Sequence, residues 1–220
     1  MAVLQTPPSL LVFGPQTEFP SEEILSDLRQ ELITNPHLSA LKDSVAKLPH
    51  FWQTLVTSDP SLRVVPGSEH LAHLAQWVTD GGGPFPHHNE GADTLNHFAL
   101  AVTVLLQISQ YARYVGNLGE DSHHRILSSV SQGGGVQGFC VGFLSAIAVT
   151  GTVDEAGLGV TAAVALRLAV CVGAYVDRDG VYAKEPSLMR CVAVRWRGEG
   201  MKEVENVIRS FPQVSELHEV

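Results

Sequence analysis

The chain has 220 residues, 45% hydrophobic and 17% charged, enough apolar side chain to build a large core and too much for a disordered chain. Charged residues fall below the roughly 25% usual in soluble proteins, so part of the surface is expected to be apolar or covered by further protein. A net charge of −9 with no basic run argues against a nucleic-acid partner.

Leu10 to Phe13 is a short apolar run meeting Gly14-Pro15-Gln16, the pattern of a buried strand that ends in a tight loop. Ser21 ahead of Glu22 and Glu23 predicts a capped helix start, and Ile24, Leu25, Leu28 and Leu32 recur at helical spacing until Asn35-Pro36. A second helix is expected from Leu38 to Leu48. Asp59-Pro60 and Pro66-Gly67 punctuate the chain before Ser68, which can cap a third helix carrying Leu71, Leu74, Ala75 and Val78. Gly81-Gly82-Gly83-Pro84-Phe85-Pro86-His87-His88-Asn89 is rich in breakers and predicts a mobile loop. Leu95 to Val115, free of Pro and Gly, predicts a mostly buried helix. Ser128 to Gly135 reads as a flexible approach to Val136-Gln137-Gly138-Phe139-Cys140-Val141-Gly142. Phe143 to Val149 and Asp154 to Val176 then read as two helices separated by Gly151-Thr152, with Thr152 or Asp154 as cap. Leu158 to Val176 is apolar enough to suggest a membrane span, but Arg167 at mid-bilayer would cost on the order of 3 kcal/mol, so a buried core helix is expected. Arg190 to Trp196 reads as a strand and Gly200 to Ser210 as an amphipathic helix. Strands alternating with helices predict an α/β domain with a mainly parallel sheet and many helices.

Cys140, Cys171 and Cys191 are an odd number without a CxxC pair, which fits neither a disulfide scaffold nor a structural zinc site. A reducing, cytoplasmic setting is expected, with no metal site, no secretory leader and no membrane partner. Gly138-Phe139-Cys140-Val141-Gly142 is the sharpest local signal, a nucleophile centred in a Gly-x-nucleophile-x-Gly turn between a strand and a helix. Such an elbow forces its central residue into a strained backbone conformation, and the flanking glycines remove side chains that would collide as strand and helix approach. The thiol of Cys140 would then stand at a helix N-terminus, whose dipole favours thiolate, and the amide of Val141 would face the oxyanion of a tetrahedral intermediate. A buried cysteine used only for packing is the competing reading, and it is the one that suits Cys171 in an apolar helix and Cys191 on a strand.

Gly134-Gly135-Val136-Gln137-Gly138-Phe139-Cys140-Val141-Gly142-Phe143-Leu144-Ser145-Ala146 resembles the elbow of the starter-unit acyl carrier protein transacylase domains of fungal non-reducing polyketide synthases. The likeness extends in order through Phe13-Gly14-Pro15-Gln16-Thr17, Asp59-Pro60-Ser61-Leu62, Val65-Pro66-Gly67, Gln107-Ile108-Ser109-Gln110-Tyr111, the run Ala163 to Val170, Gly173-Ala174-Tyr175-Val176-Asp177 and Ala193-Val194-Arg195-Trp196. The resemblance implies a hydrolase-like acyltransferase part over residues 1–187 and the beginning of a ferredoxin-like small subdomain over 188–220. It also implies a starter acyl group passed from acyl-CoA, or from the acyl-phosphopantetheine of a fatty acid synthase or reducing polyketide synthase, through Cys140 to an acyl carrier protein, with no bound cofactor.

Gln16 matches the family's glutamine that helps complete the oxyanion site, with a loop-capping amide as the plain alternative. Arg167 lies near where malonyl transferases carry a carboxylate-clamping arginine. A starter acyl chain has no such carboxylate, so an ion pair or packing role stays open. The family's base is a histidine far downstream, a position this sequence does not reach before Val220, and a catalytically silent fragment acting as an interaction module is the alternative reading. His218 stands in a tail unlike the family, His87 and His88 fall in the breaker-rich loop, and His123 and His124 are expected at a helix end or on the surface. A compact cysteine hydrolase would need His123 or His124 beside Cys140.

Overall fold

A computed structural model describes residues 10–15, 20–66, 68–80, 85, 95–182, 202 and 206. The chain divides into two units, Met1–Lys184 and Glu185–Val220. Of the second, only Lys202 and Asn206 are described, both helical, so the strand expected at 190–196 and the ferredoxin-like reading of 188–220 lie outside the described residues.

Strands β1 (Leu11–Phe13) and β2 (Val136–Gly138) pair in parallel, with Leu11 opposite Val136, Val12 opposite Gln137 and Phe13 opposite Gly138. Parallel strands need a long crossover rather than a hairpin, and here the helices between Glu22 and Gly133 supply it. These are α1 (Glu22–Thr34), α2 (Ser39–Ala46), α3 (Leu48–Ser58), α4 (Ser68–Thr79), α5 (Asn96–Leu118) and α6 (Ser122–Gly133). After β2 come α7 (Gly142–Thr150) and α8 (Glu155–Tyr182). The result is a mostly helical α/β arrangement with a small parallel sheet among the described residues.

Local chemistry explains most boundaries. The Ser21 hydroxyl accepts from the Ile24 amide, Glu22 and Glu23 occupy the first turn of α1, and its buried stripe is Leu25, Leu28 and Leu32. Asp154 caps α8, its Oδ1 accepting from the Gly157 amide at 2.9 Å. The helix expected from Leu38 to Leu48 is instead a 3-10 turn (Pro36–Leu38) followed by α2, and a new helix begins at Leu48. Pro49 in the first turn of α3 gives the reason: a proline there lacks only an amide that would have no partner anyway, so it opens a helix. Ser128 to Gly135 is not a flexible approach, because α6 continues to Gly133 with Ile126 and Val130 buried beneath it. Of the breaker-rich segment 81–89 only Phe85 is described, and it is buried edge-on to Trp77 and beside Phe98.

Helix α5 runs through the core, with Leu105 and Ile108 fully buried, each worth about 1.5–3 kcal/mol of apolar burial. Helix α8 packs along it through Leu158, Ala162, Leu166, Ala169, Val170 and Ala174, while Val160, Val164, Leu168, Val172 and Val176 face outward. The expected core helix is therefore buried on one face only. It is long and apolar enough to cross a membrane, yet its small inward residues and its contacts with α5 give it a place in the core. Its opposite face accounts for part of the low charged fraction.

The start of α5 has no side-chain cap of its own, because Leu95 occupies that position. Asp177 of α8 fills the role from across the core. Its Oδ1 accepts from the Asn96 amide at 2.8 Å and from Asn96 Nδ2 at 2.9 Å, and its Oδ2 accepts from the His97 amide at 2.9 Å and lies 2.6 Å from His97 Nδ1. Burial pushes the Asp177 pKa up, but hydrogen bonds from His97 and Asn96 push it down further, leaving it below the ordinary carboxylate value.

A carboxylate whose pKa falls on folding contributes stability that is complete above its unfolded value and is lost as pH drops through the folded one. Asp177→Asn is expected to cost about 1–3 kcal/mol at pH 6, and the gap to the parent chain should narrow below about pH 4, as read by urea unfolding at several pH values.

Candidate active site

Both strands end at the same edge of the sheet, and their C-terminal ends supply the loops that make the site. The Phe139 amide donates to the Phe13 carbonyl at 2.9 Å, adding one more rung after the last strand pair. The chain then turns sharply. Cys140 has φ 55°, one of two non-glycine residues in the left-handed region among those described, and such a conformation costs roughly 1–3 kcal/mol. Successive i to i+3 bonds close the turn: Gly142 N–H to Phe139 O at 3.0 Å, Phe143 N–H to Cys140 O at 3.0 Å and Leu144 N–H to Val141 O at 2.9 Å.

Two glycines make this geometry feasible. A Cβ on Gly138 would collide with the backbone of Gly142 and Phe143, and one on Gly142 would collide with the carbonyls of Phe13 and Gly14. The expected elbow is thus present as strand, strained cysteine and helix, with the thiol exposed and free. Cys140 sits at the head of α7, and the Val141 amide donates to no acceptor among the described residues. Phe139 and Phe143, 53% and 57% exposed, flank the thiol in sequence. An open groove lined by Val136, Gly138, Phe139, Phe143 and Ile147 runs along β2 and α7, and a second, lined by Val12, Gly14, Gln107 and Tyr111, runs along β1 and α5.

The other expected site residues fare differently. Gln16 lies outside the described residues, as do His87, His88, Cys191 and His218. Arg167 is on the exposed side of α8, where its Nε donates to the Ala163 carbonyl at 3.2 Å, and it makes no ion pair among the described residues. Cys171 is partly buried in α8, and burial raises its pKa, as suits a packing thiol.

His123 lies in the first turn of α6, at a helix end as expected, but it is not on the surface: only 1% of it is exposed. Its Nε2 lies 3.1 Å from the Thr152 carbonyl, which can only accept, so Nε2 carries the proton and Nδ1 accepts from the Tyr111 hydroxyl at 2.8 Å. Burial, with smaller contributions from Glu155 and Tyr114, raises the Tyr111 pKa well above its ordinary value and keeps that hydroxyl protonated. Both ring nitrogens are therefore committed to holding α5, α6 and the α7–α8 turn together, and neither serves Cys140. His124 is exposed on α6, and among the described residues no histidine hydrogen-bonds the thiol. No cluster of metal-ligating side chains occurs among the described residues. Sequence reading missed Gln107, which reaches from α5 to the loop after β1 with its Nε2 2.8 Å from the Gly14 carbonyl. The only sequence signal was its place in a family-like motif.

Residues 11–219 match the family described as "Starter unit:ACP transacylase in aflatoxin biosynthesis". The chain is 40% identical over 207 residues to non-reducing polyketide synthase pkbA of Emericella nidulans, a match covering 93% of this chain and 8% of that protein. It is 39% identical over 212 residues to non-reducing polyketide synthase esdpA of Penicillium shearii, covering 94% and 9%. To methylphloroacetophenone synthase of Cladonia uncialis it is 36% identical over 207 residues, covering 93% and 8%. The chain thus spans less than a tenth of the length of these relatives.

Close approach at Gly142 has a direct consequence. Gly142→Ala is expected to cost about 1–3 kcal/mol as the added methyl pushes α7 off the β1 carbonyls. Gly133→Ala, whose Cβ would meet nothing within 4 Å, is expected to be neutral or stabilising. Urea unfolding of the pair checks the contrast.

Proposed function

Because the chain belongs to the starter unit:ACP transacylase family, we propose that Cys140 carries a starter acyl group as a thioester between two pantetheine arms. The observation that carries this reading is the exposed thiol at positive φ at the head of α7, directly before an uncommitted Val141 amide. In the first half-reaction the thiolate attacks the carbonyl of an acyl-CoA or an acyl-phosphopantetheine. The tetrahedral oxyanion forms beside the Val141 amide, and the pantetheine thiolate leaves and takes up a proton. In the second, the phosphopantetheine thiol of an acyl carrier protein loses its proton, attacks acyl-Cys140 and returns the free thiolate. Each step exchanges one thioester for another, so the energetics are nearly balanced and the protein's contribution is positioning and oxyanion stabilisation.

Gln16, two residues past Gly14, is assigned to the oxyanion loop. Arg167, exposed on α8 with no ion-pair partner among the described residues, is assigned to binding anionic groups of the substrate. Residues 1–187 act in this reading as the hydrolase-like part of an acyltransferase and 188–220 as the start of its small subdomain. The carrier protein belongs to the same synthase, the acyl donor is a fatty acid synthase, a reducing polyketide synthase or free acyl-CoA, and the reducing cytoplasm keeps Cys140 a thiol.

Incubation with hexanoyl-CoA at pH 8.5 is expected to give one hexanoyl adduct by intact mass. That adduct should map to Cys140, be absent in Cys140→Ala and transfer to a holo-carrier protein. No adduct on the parent chain, or one retained in Cys140→Ala, contradicts the assignment.

A further inference from the structure

The middle of α5 holds a half-buried amide, the oxygen of which is fully buried, that packing does not explain. Gln107 lies between the fully buried Leu105 and Ile108, and its Nε2 donates to the Gly14 carbonyl at 2.8 Å. Since that carbonyl only accepts, the amide orientation is settled, and Oε1 is left buried with no donor. An unpaired buried acceptor is a standing cost that an apolar side chain of the same shape would avoid, so the amide is retained for what its NH2 group does. The Gly14 carbonyl is also one of the two against which Gly142 packs. One peptide group therefore meets α5 on one side and the first turn of α7 on the other.

We propose that Gln107 is a positioning residue for the oxyanion site. By holding the Gly14 carbonyl, against which Gly142 packs, it sets the place of the head of α7 and of the Val141 amide there. Gln107 touches no reacting atom in this scheme and acts through the loop. The inference rests on the transacylase reading of Cys140 and extends it to a residue that positions the Val141 amide.

The test compares two electrophiles on one thiol. Hexanoyl-CoA acylates Cys140 through an oxyanion, whereas iodoacetamide alkylates the same sulfur by displacement without one. Gln107→Met keeps the volume and removes the unpaired acceptor, so the variant is expected to fold. Its acylation rate at pH 8.5 should fall about 10- to 100-fold while alkylation stays within about twofold. Gln53→Met, at an exposed position of α3, should leave both rates unchanged. Equal acylation in a folded Gln107→Met, or acylation and alkylation falling together, overturns the positioning role. Failure of Gln107→Met to fold also overturns it, by assigning the amide to the fold. If the parent chain alkylates but does not acylate, the transacylase reading fails and takes this inference with it.

Discussion

Two backbone carbonyls at the end of β1 organise the candidate site. That of Phe13 receives the Phe139 amide, and those of Phe13 and Gly14 together form the surface on which Gly142 lies without room for a methyl group. Between these fixed points only Phe139, Cys140 and Val141 connect strand to helix, and a connection that short is closed by putting Cys140 at positive φ. The strain is local and the support is not: the sheet rung, the α7 turn and the Gln107 contact all have to be in place to sustain it.

That support depends on α5. Its N-terminus is capped by Asp177 from α8, its middle reaches the β1 loop through Gln107, and its C-terminal half holds His123 through Tyr111. One mostly buried helix thereby joins three polar contacts to elements that are not its neighbours in sequence. Exposed apolar side chains gather elsewhere, on α7 at Phe143 and Ile147 and along the outer face of α8. These outward faces account for part of the sparse charge read from composition.

Much of this is legible in the residues because the signals are local. Strand β1, the Ser21 and Asp154 caps, the long apolar helix after Leu95 and the glycine-flanked cysteine all follow from neighbours within four positions. The failures share a cause as well. The helix expected from Leu38 to Leu48 ends sooner because Pro49 opens a new helix from its first turn, and Ser131-Gln132-Gly133 looks like a loop because those residues carry no apolar signal of their own. The burial of His123 depends on Tyr111 and Thr152, 12 and 29 residues away, and no periodicity reports such partners. Gln107 is visible as part of a motif but not as a contact, because its acceptor is a backbone atom 93 residues distant.

The whole elbow depends on the backbone of Cys140 being held in the left-handed region. In an ordinary helix or strand, alanine is more stable than glycine by about 0.5–1 kcal/mol, and at a left-handed position the order reverses by about 1–2 kcal/mol. The most direct measurement is therefore the unfolding free energy of Cys140→Gly against Cys140→Ala. Greater stability of the glycine variant is the predicted result, and equal or greater stability of the alanine variant would contradict it.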